Sequence, residues 1–194
     1  MNMKTAQDLQ IQWAGGRDVW PQVPHQDGFI SMQTKVKDHS SSSSSGSSYE
    51  WPEIVRESTL FGFGAYYPRG QTLPNEMNEK QHALLRNDIE NSLMPYSDMT
   101  KYWEAASIWQ DGSSEQGFIL AFREQENEGL ELSIALARKY NQGAIYRFRL
   151  EQEKEGDRTS SRLMRDTIPV LDEGTEGRVE VEIDDAAVDL WPVL

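Results

Sequence analysis

Apolar and polar positions along residues 60–183 change period from one stretch to the next, and these changes mark out a regular domain. Leu60 to Tyr67 is apolar and aromatic, broken only by Gly62 and Gly64 and closed by Pro68. So short and aromatic a run predicts a buried strand, and its glycines predict close approach by a neighbouring chain or a bulge. Pro74 suits a first helical turn, where a missing N–H costs nothing. Met77, Leu84, Leu85, Ile89 and Leu93 then fall on one stripe of a 3.6-residue period that ends at Pro95. Glu76 and Glu79 sit early in it, where the helix dipole favours acids.

Tyr102 to Trp109 and Gly117 to Phe122 read as strands joined by a hairpin turn at Asp111-Gly112-Ser113-Ser114. From about Glu128 to Tyr140 a wide apolar face predicts a second helix, with Arg138 and Lys139 in its last turn and Asn141-Gln142-Gly143 as its exit. Tyr146, Phe148 and Leu150 alternate with Arg147 and Arg149, and Val179, Val181 and Ile183 with Glu180, Glu182 and Asp184, which is strand periodicity. Arg162 to Val170 reads as a strand between them. The order strand, helix, strand, strand, helix, strand is that of a ferredoxin-like βαββαβ unit. It predicts an α+β fold with two helices on one face of a largely antiparallel sheet and extra C-terminal strands.

The flanks are less regular. Residues 1–39 read as an N-terminal extension: Ala6 to Trp13 is a short helix or strand, the prolines between Trp20 and Pro24 enforce extended backbone, and Phe29 to Val36 has strand composition. Residues 40–48 hold eight serines and one glycine, too little apolar surface to offset the entropy of ordering, and are expected to be a flexible linker. Residues 49–184 are then the single α+β domain, and residues 185–194 an acidic tail.

Charge narrows the partners. The net charge is −13, with five acids against four bases in residues 1–50, fourteen against ten in 51–150 and thirteen against five in 151–194. Without a Lys/Arg-rich run, this field argues against nucleic acid, and no window is apolar enough for membrane insertion. The absence of cysteine removes disulfides, thiolate metal sites and cysteine nucleophiles. The first residues lack the features of a signal or transit peptide, so a cytoplasmic protein is expected.

Four passages, in their order, carry a resemblance. They are Ala65-Tyr66-Tyr67-Pro68-Arg69-Gly70, Met77-Asn78-Glu79, Ser114-Glu115-Gln116-Gly117-Phe118-Ile119-Leu120 and Ala137-Arg138-Lys139-Tyr140-Asn141-Gln142-Gly143-Ala144-Ile145. Over roughly residues 58–150 the chain resembles domain-of-unknown-function family 3293, small and mostly bacterial proteins. Tyr67 stands where that family has Asn, Gln81 where it has Arg, and Gly117 where it has Ser. The family has no established activity, so the resemblance implies a fold rather than a reaction.

Candidate chemistry is sparse. Arg69, with Asn78 and Gln81 near the following helix N-terminus, could seat a carboxylate or phosphate, although an arginine in an exposed turn is most often simply solvated. Glu115 and Gln142 sit at element boundaries and could converge with Arg69, or Gln142 could satisfy the carbonyls of the helix end. His25, His39 and His82 show no metal-ligand spacing. No Gly-x-Ser-x-Gly elbow places a nucleophile, and Tyr67 breaks a Gly-x-Gly-x-x-Gly reading of Gly62 and Gly64. No cofactor is predicted. Trp-Pro occurs at Trp20-Pro21, Trp51-Pro52 and Trp191-Pro192; these tryptophans either pack onto their own chain or anchor in a partner's groove. The first functional expectation is a non-catalytic module that captures a protein partner through its extensions, with Trp20, Trp191 and Pro192 as contacts. The alternative is a small enzyme or ligand-binding domain for an anionic small molecule, built on Arg69, Asn78, Glu115 and Gln142.

Overall fold

The computed structural model describes residues 19–25, 28–34, 51–66, 73–96, 100–108, 114–155, 158–170 and 177–183. In chain order the elements are β1 (Val19–His25), β2 (Gly28–Thr34), α1 (Glu53–Glu57), β3 (Thr59–Gly64), α2 (Asn75–Leu93), β4 (Thr100–Ile108), β5 (Ser114–Phe122), α3 (Glu126–Lys139), β6 (Ala144–Glu155), β7 (Arg158–Pro169) and β8 (Gly177–Ile183). A 3-10 turn, Met94–Tyr96, finishes α2 at Pro95.

The fold is α+β, and its centre is an antiparallel sheet of five strands in the order β4-β5-β3-β6-β7. On the β7 side β8, β2 and β1 continue the order, and one register pair, Val19 with Ile108, returns β1 to β4. Residues 19–34, expected to precede the domain, therefore form a hairpin within its sheet. Trp20 is a strand residue opposite Met32, and the register shifts between Trp20 and Val23, where Pro21 lacks an N–H for the ladder.

Both faces of the central sheet are covered, which explains why β3 and β5 read as continuous apolar runs. On one face Phe61, Phe63, Phe118, Leu120 and Phe122 pack against α2 and α3 through Leu85, Ile89, Leu93, Leu136 and Ala137. On the other, Leu60, Ala105, Ile119, Ala121, Tyr146, Phe148 and Leu163 pack with Val55, Ile54 and Trp51 at α1. The two helices expected on one face are thus there, and α1, absent from the sequence reading, covers part of the opposite one. Trp51 packs on its own chain.

Close strand approach occurs at Gly64 and Gly117, which are register partners. A Cβ on Gly117 would lie 2.6 Å from the backbone oxygen of Phe63, and one on Gly64 would lie 3.0 Å from that of Gln116. The serine that the resembling family has at position 117 would not fit this backbone. At the exit of α3, Asn141 takes a left-handed φ of 54°, and the Gln142 N–H reaches back to the Ala137 carbonyl at 2.9 Å. This is a Schellman-type closure, and asparagine tolerates its backbone better than most residues.

One expectation needs correction. Met77 and Leu84, assigned to the apolar stripe of α2, are 50% and 44% exposed. The buried stripe is Asn78, His82, Leu85, Ile89 and Leu93. Its spacings of four and three residues keep the helical period, and two of its five members are polar.

Candidate functional site

The two polar members of that stripe lie over the end of the sheet where β3, β4 and β5 meet α2. The register fixes what they face. Glu104 on β4 is directly opposite Phe118 on β5, and both belong to the helix-covered face because Phe118 is in that core. The His82 ring lies nearly flat on Phe118, with centroids 4.5 Å apart and planes 16° apart. Tyr66, just past the end of β3, meets the same imidazole edge-on at 5.6 Å.

His82 Nε2 is 2.9 Å from Glu104 Oε1, and Arg86, one helical turn on, donates from Nη2 to the same oxygen. A carboxylate accepts, so Nε2 carries a hydrogen and donates it to Glu104. The His82 Nδ1 is buried and has no partner among the described residues. Leaving a buried polar atom unmatched costs about 1–3 kcal/mol.

Partial burial pushes the Glu104 carboxyl up, but the hydrogen bonds and charges of His82 and Arg86 outweigh it and hold the group below the usual carboxylate range. The Glu104 and Arg86 side chains are 52% and 46% exposed, whereas the His82 side chain is 8% exposed. The site therefore has a fixed floor, His82 on Phe118, and an adaptable rim. Beside it, Tyr102 donates to Glu90 at 2.7 Å, and Tyr66 donates to Gln116 Oε1 at 3.4 Å.

The sequence-derived candidates divide. Asn78 is fully buried and donates from Nδ2 to the Leu73 carbonyl at 3.4 Å, tying the start of α2 to the segment before it. Gln142 donates from Nε2 to the carbonyls of Tyr66 at 3.1 Å and Tyr140 at 3.3 Å. Gln142 thus holds the Tyr66 carbonyl, and Asn78 the Leu73 carbonyl just before α2. Glu115 belongs to the opposite face: its Oε1 is 3.1 Å from where a Cβ on Gly64 would stand, on the side of Leu60 and Ile119. Among the described candidates, Glu115 therefore lies on the opposite sheet face from Asn78 of α2. Arg69, Trp191 and Pro192 lie outside the described residues.

Arg86 and Glu104 carry no signal in the sequence, and His82 is weighed there only as a metal ligand, because each looks ordinary alone. The usable signal was the spacing of Asn78 and His82 in register with Leu85, Ile89 and Leu93. Among the described residues no group of three or more His, Asp and Glu gathers as a metal site, and no helix is long and apolar enough to cross a membrane.

These features define a small α+β domain with a histidine, arginine and carboxylate cluster where its longest helix crosses the sheet. Residues 64–145 match the model of the family described as protein of unknown function (DUF3293), so the chain resembles that family over the segment that holds Tyr66, His82, Glu104 and Gln142. No curated protein and no solved structure matches the chain.

Proposed function

We propose that this chain is a small-molecule-binding domain that seats an anionic group on His82 and Arg86. The observation that carries this reading is the convergence of two donors, one on a buried and rigidly stacked ring and one on a partly exposed guanidinium, upon a single carboxylate oxygen. Charge-assisted donors of this kind recognise carboxylates and phosphates, and a preorganised floor lowers the entropy lost on binding. The anionic ligand of the sequence reading is thereby kept, with its seat moved to His82 and Arg86 and with Asn78 and Gln142 as supports. We read the strand order β4-β5-β3-β6 as a ferredoxin-like core to which β7 and β8 are added.

The test is a titration of the whole chain with acetate and with inorganic phosphate, followed by the imidazole resonances of His82 and the guanidinium resonances of Arg86. Saturable shifts at both residues in wild type, with the His82 shift lost in Arg86→Gln, are the expected result. Shifts that only track ionic strength would refute the reading.

A second reading, capture of a protein partner, is favoured by Met77 and Leu84, two helical turns apart on the outer side of α2, together with the 70% exposed Met94. Methionine-bearing surfaces adapt to partners of varied shape. Substituting Met77 and Leu84 with Gln and comparing the proteins recovered with the chain from its native source tests it; an unchanged set would end this reading.

A further inference from the structure

We infer that Glu104 is a built-in stand-in for the ligand: its carboxylate occupies the seat that an external carboxylate takes when the site is filled. The inference rests on the anion-binding reading above and adds both the ligand class and a self-blocking device.

Glu104 is attached to a β4 position on the helix-covered face, opposite Phe118, and its side chain leans onto Nε2 of His82 and Nη2 of Arg86. Half of that side chain is exposed, so rotation about its torsions can release the seat into solvent without moving the backbone. The donors behave differently. His82 is held between Phe118 and Tyr66, with centroid distances of 4.5 Å and 5.6 Å, and stays in place whether or not Glu104 does. The unmatched Nδ1 sharpens this contrast: His82 is kept in the core at a cost in hydrogen bonding, while the group against its Nε2 is half exposed. An exposed ion pair holds its partners weakly, which suits a competitor that must yield.

The seat now holds a carboxylate oxygen, the planar acceptor that matches a guanidinium fork and an adjacent N–H donor. The ligand assigned is accordingly a small molecule bearing a carboxylate. Glu104 lowers its apparent affinity by competing for the same donors, in the way any occupied competent state taxes binding.

The test compares wild type, Glu104→Gln, Glu104→Ala and the double variant Arg86→Gln/Glu104→Gln. Each is titrated with acetate and, separately, with inorganic phosphate at constant ionic strength, with the His82 resonances as the common readout and those of Arg86 in the variants that retain it. Folding is checked through the ring-current shifts that the Phe118 stack imposes on His82. The expected result is acetate binding at least tenfold tighter in both single variants than in wild type, with the gain erased in the double variant. Equal acetate affinity in wild type and both single variants overturns the stand-in role and leaves the anion site in place. Tightening for phosphate but not for acetate overturns the carboxylate assignment. No saturable response in any variant overturns the inference and the anion-binding reading together.

Discussion

His82 lies flat on Phe118 at 4.5 Å, and Phe118 faces Glu104 across the β4–β5 ladder, so one stacking contact places the imidazole Nε2 at the carboxylate. Truncating the ring separates its packing from its polarity. His82→Ala should destabilise the protein by about 2–4 kcal/mol, the range for removing a large buried side chain and leaving a cavity. His82→Leu should cost clearly less, because it keeps much of the volume and removes a buried polar atom that has no partner. Urea unfolding of the two variants checks this; equal losses would mean that packing on Phe118 contributes little.

Acid stability should carry the mark of two carboxylates. Asp88 is held below its ordinary range by hydrogen bonds from Lys139 and then Tyr140, and Glu104 by His82 and Arg86 against the opposing effect of its burial. Lowered folded-state values mean that their stabilisation is present above the unfolded-chain value of about 4 and disappears as pH falls through the folded values. Asp88→Asn and Glu104→Gln should each flatten the loss of stability below about pH 4. Unfolding midpoints measured from pH 2.5 to 7 provide the comparison, and unchanged acid limbs would contradict the assignment.

At the alkaline end the sign is reversed. Burial, and then its hydrogen bond to Asp88, push the Tyr140 phenol well above its ordinary range. Tyr102 is raised by its hydrogen bond to Glu90 and then by burial. These contributions are complete below the unfolded-chain value of about 10 and are lost as pH rises past it. Tyr140→Phe should cost about 1 kcal/mol at neutral pH and reduce the decline in stability above about pH 10. Ultraviolet phenolate titration of the folded protein should show one fewer late-ionising tyrosine.

Strand spacing at the sheet's tight point gives a steric prediction. Gly117→Ala would set a methyl 2.6 Å from the backbone oxygen of Phe63, where no flexible side chain can yield. The cost should reach about 3 kcal/mol, the upper part of the usual range for overpacking. Thermal unfolding of the variant against wild type decides it.

On the helix-covered side of β6, Arg147 binds Asp166 through Nε at 3.1 Å and Nη2 at 2.8 Å, and Glu126 of α3 through Nη1 at 3.0 Å. Arg147→Met should cost about 1–3 kcal/mol, since the partly buried Asp166 loses a charged donor. Asp166 keeps Arg149 and Arg178 at 3.5 Å, so the double variant with Asp166→Leu should cost more than Arg147→Met alone, because it strips those two arginines of their carboxylate as well. Chemical denaturation of the set is the measurement.

Much of the architecture can be read from local chemistry. Pro74 and Pro95 bracket α2, Asn141 supplies the left-handed exit of α3, and the period-two alternation of Tyr146 to Leu150 marks β6. These are properties of short stretches, governed by backbone dihedrals and by which residues shed water. What only the tertiary structure decided is which face each residue meets. Glu115 and Gln116 are neighbours in sequence, yet the pleat sends them to opposite sides of the sheet, and the pairing of β5 with β3 and β4 settles which side is which. Glu115 thus parts from Gln142, a separation that composition does not encode. The same holds for α2. Met77 and Leu84 fit an apolar stripe by type, but Asn78 and His82 occupy the buried positions, because stacking on Phe118 and bonding to Leu73 and Glu104 repay part of the burial of polar groups. Those contacts link residues distant in sequence, and the chain has to fold before they exist.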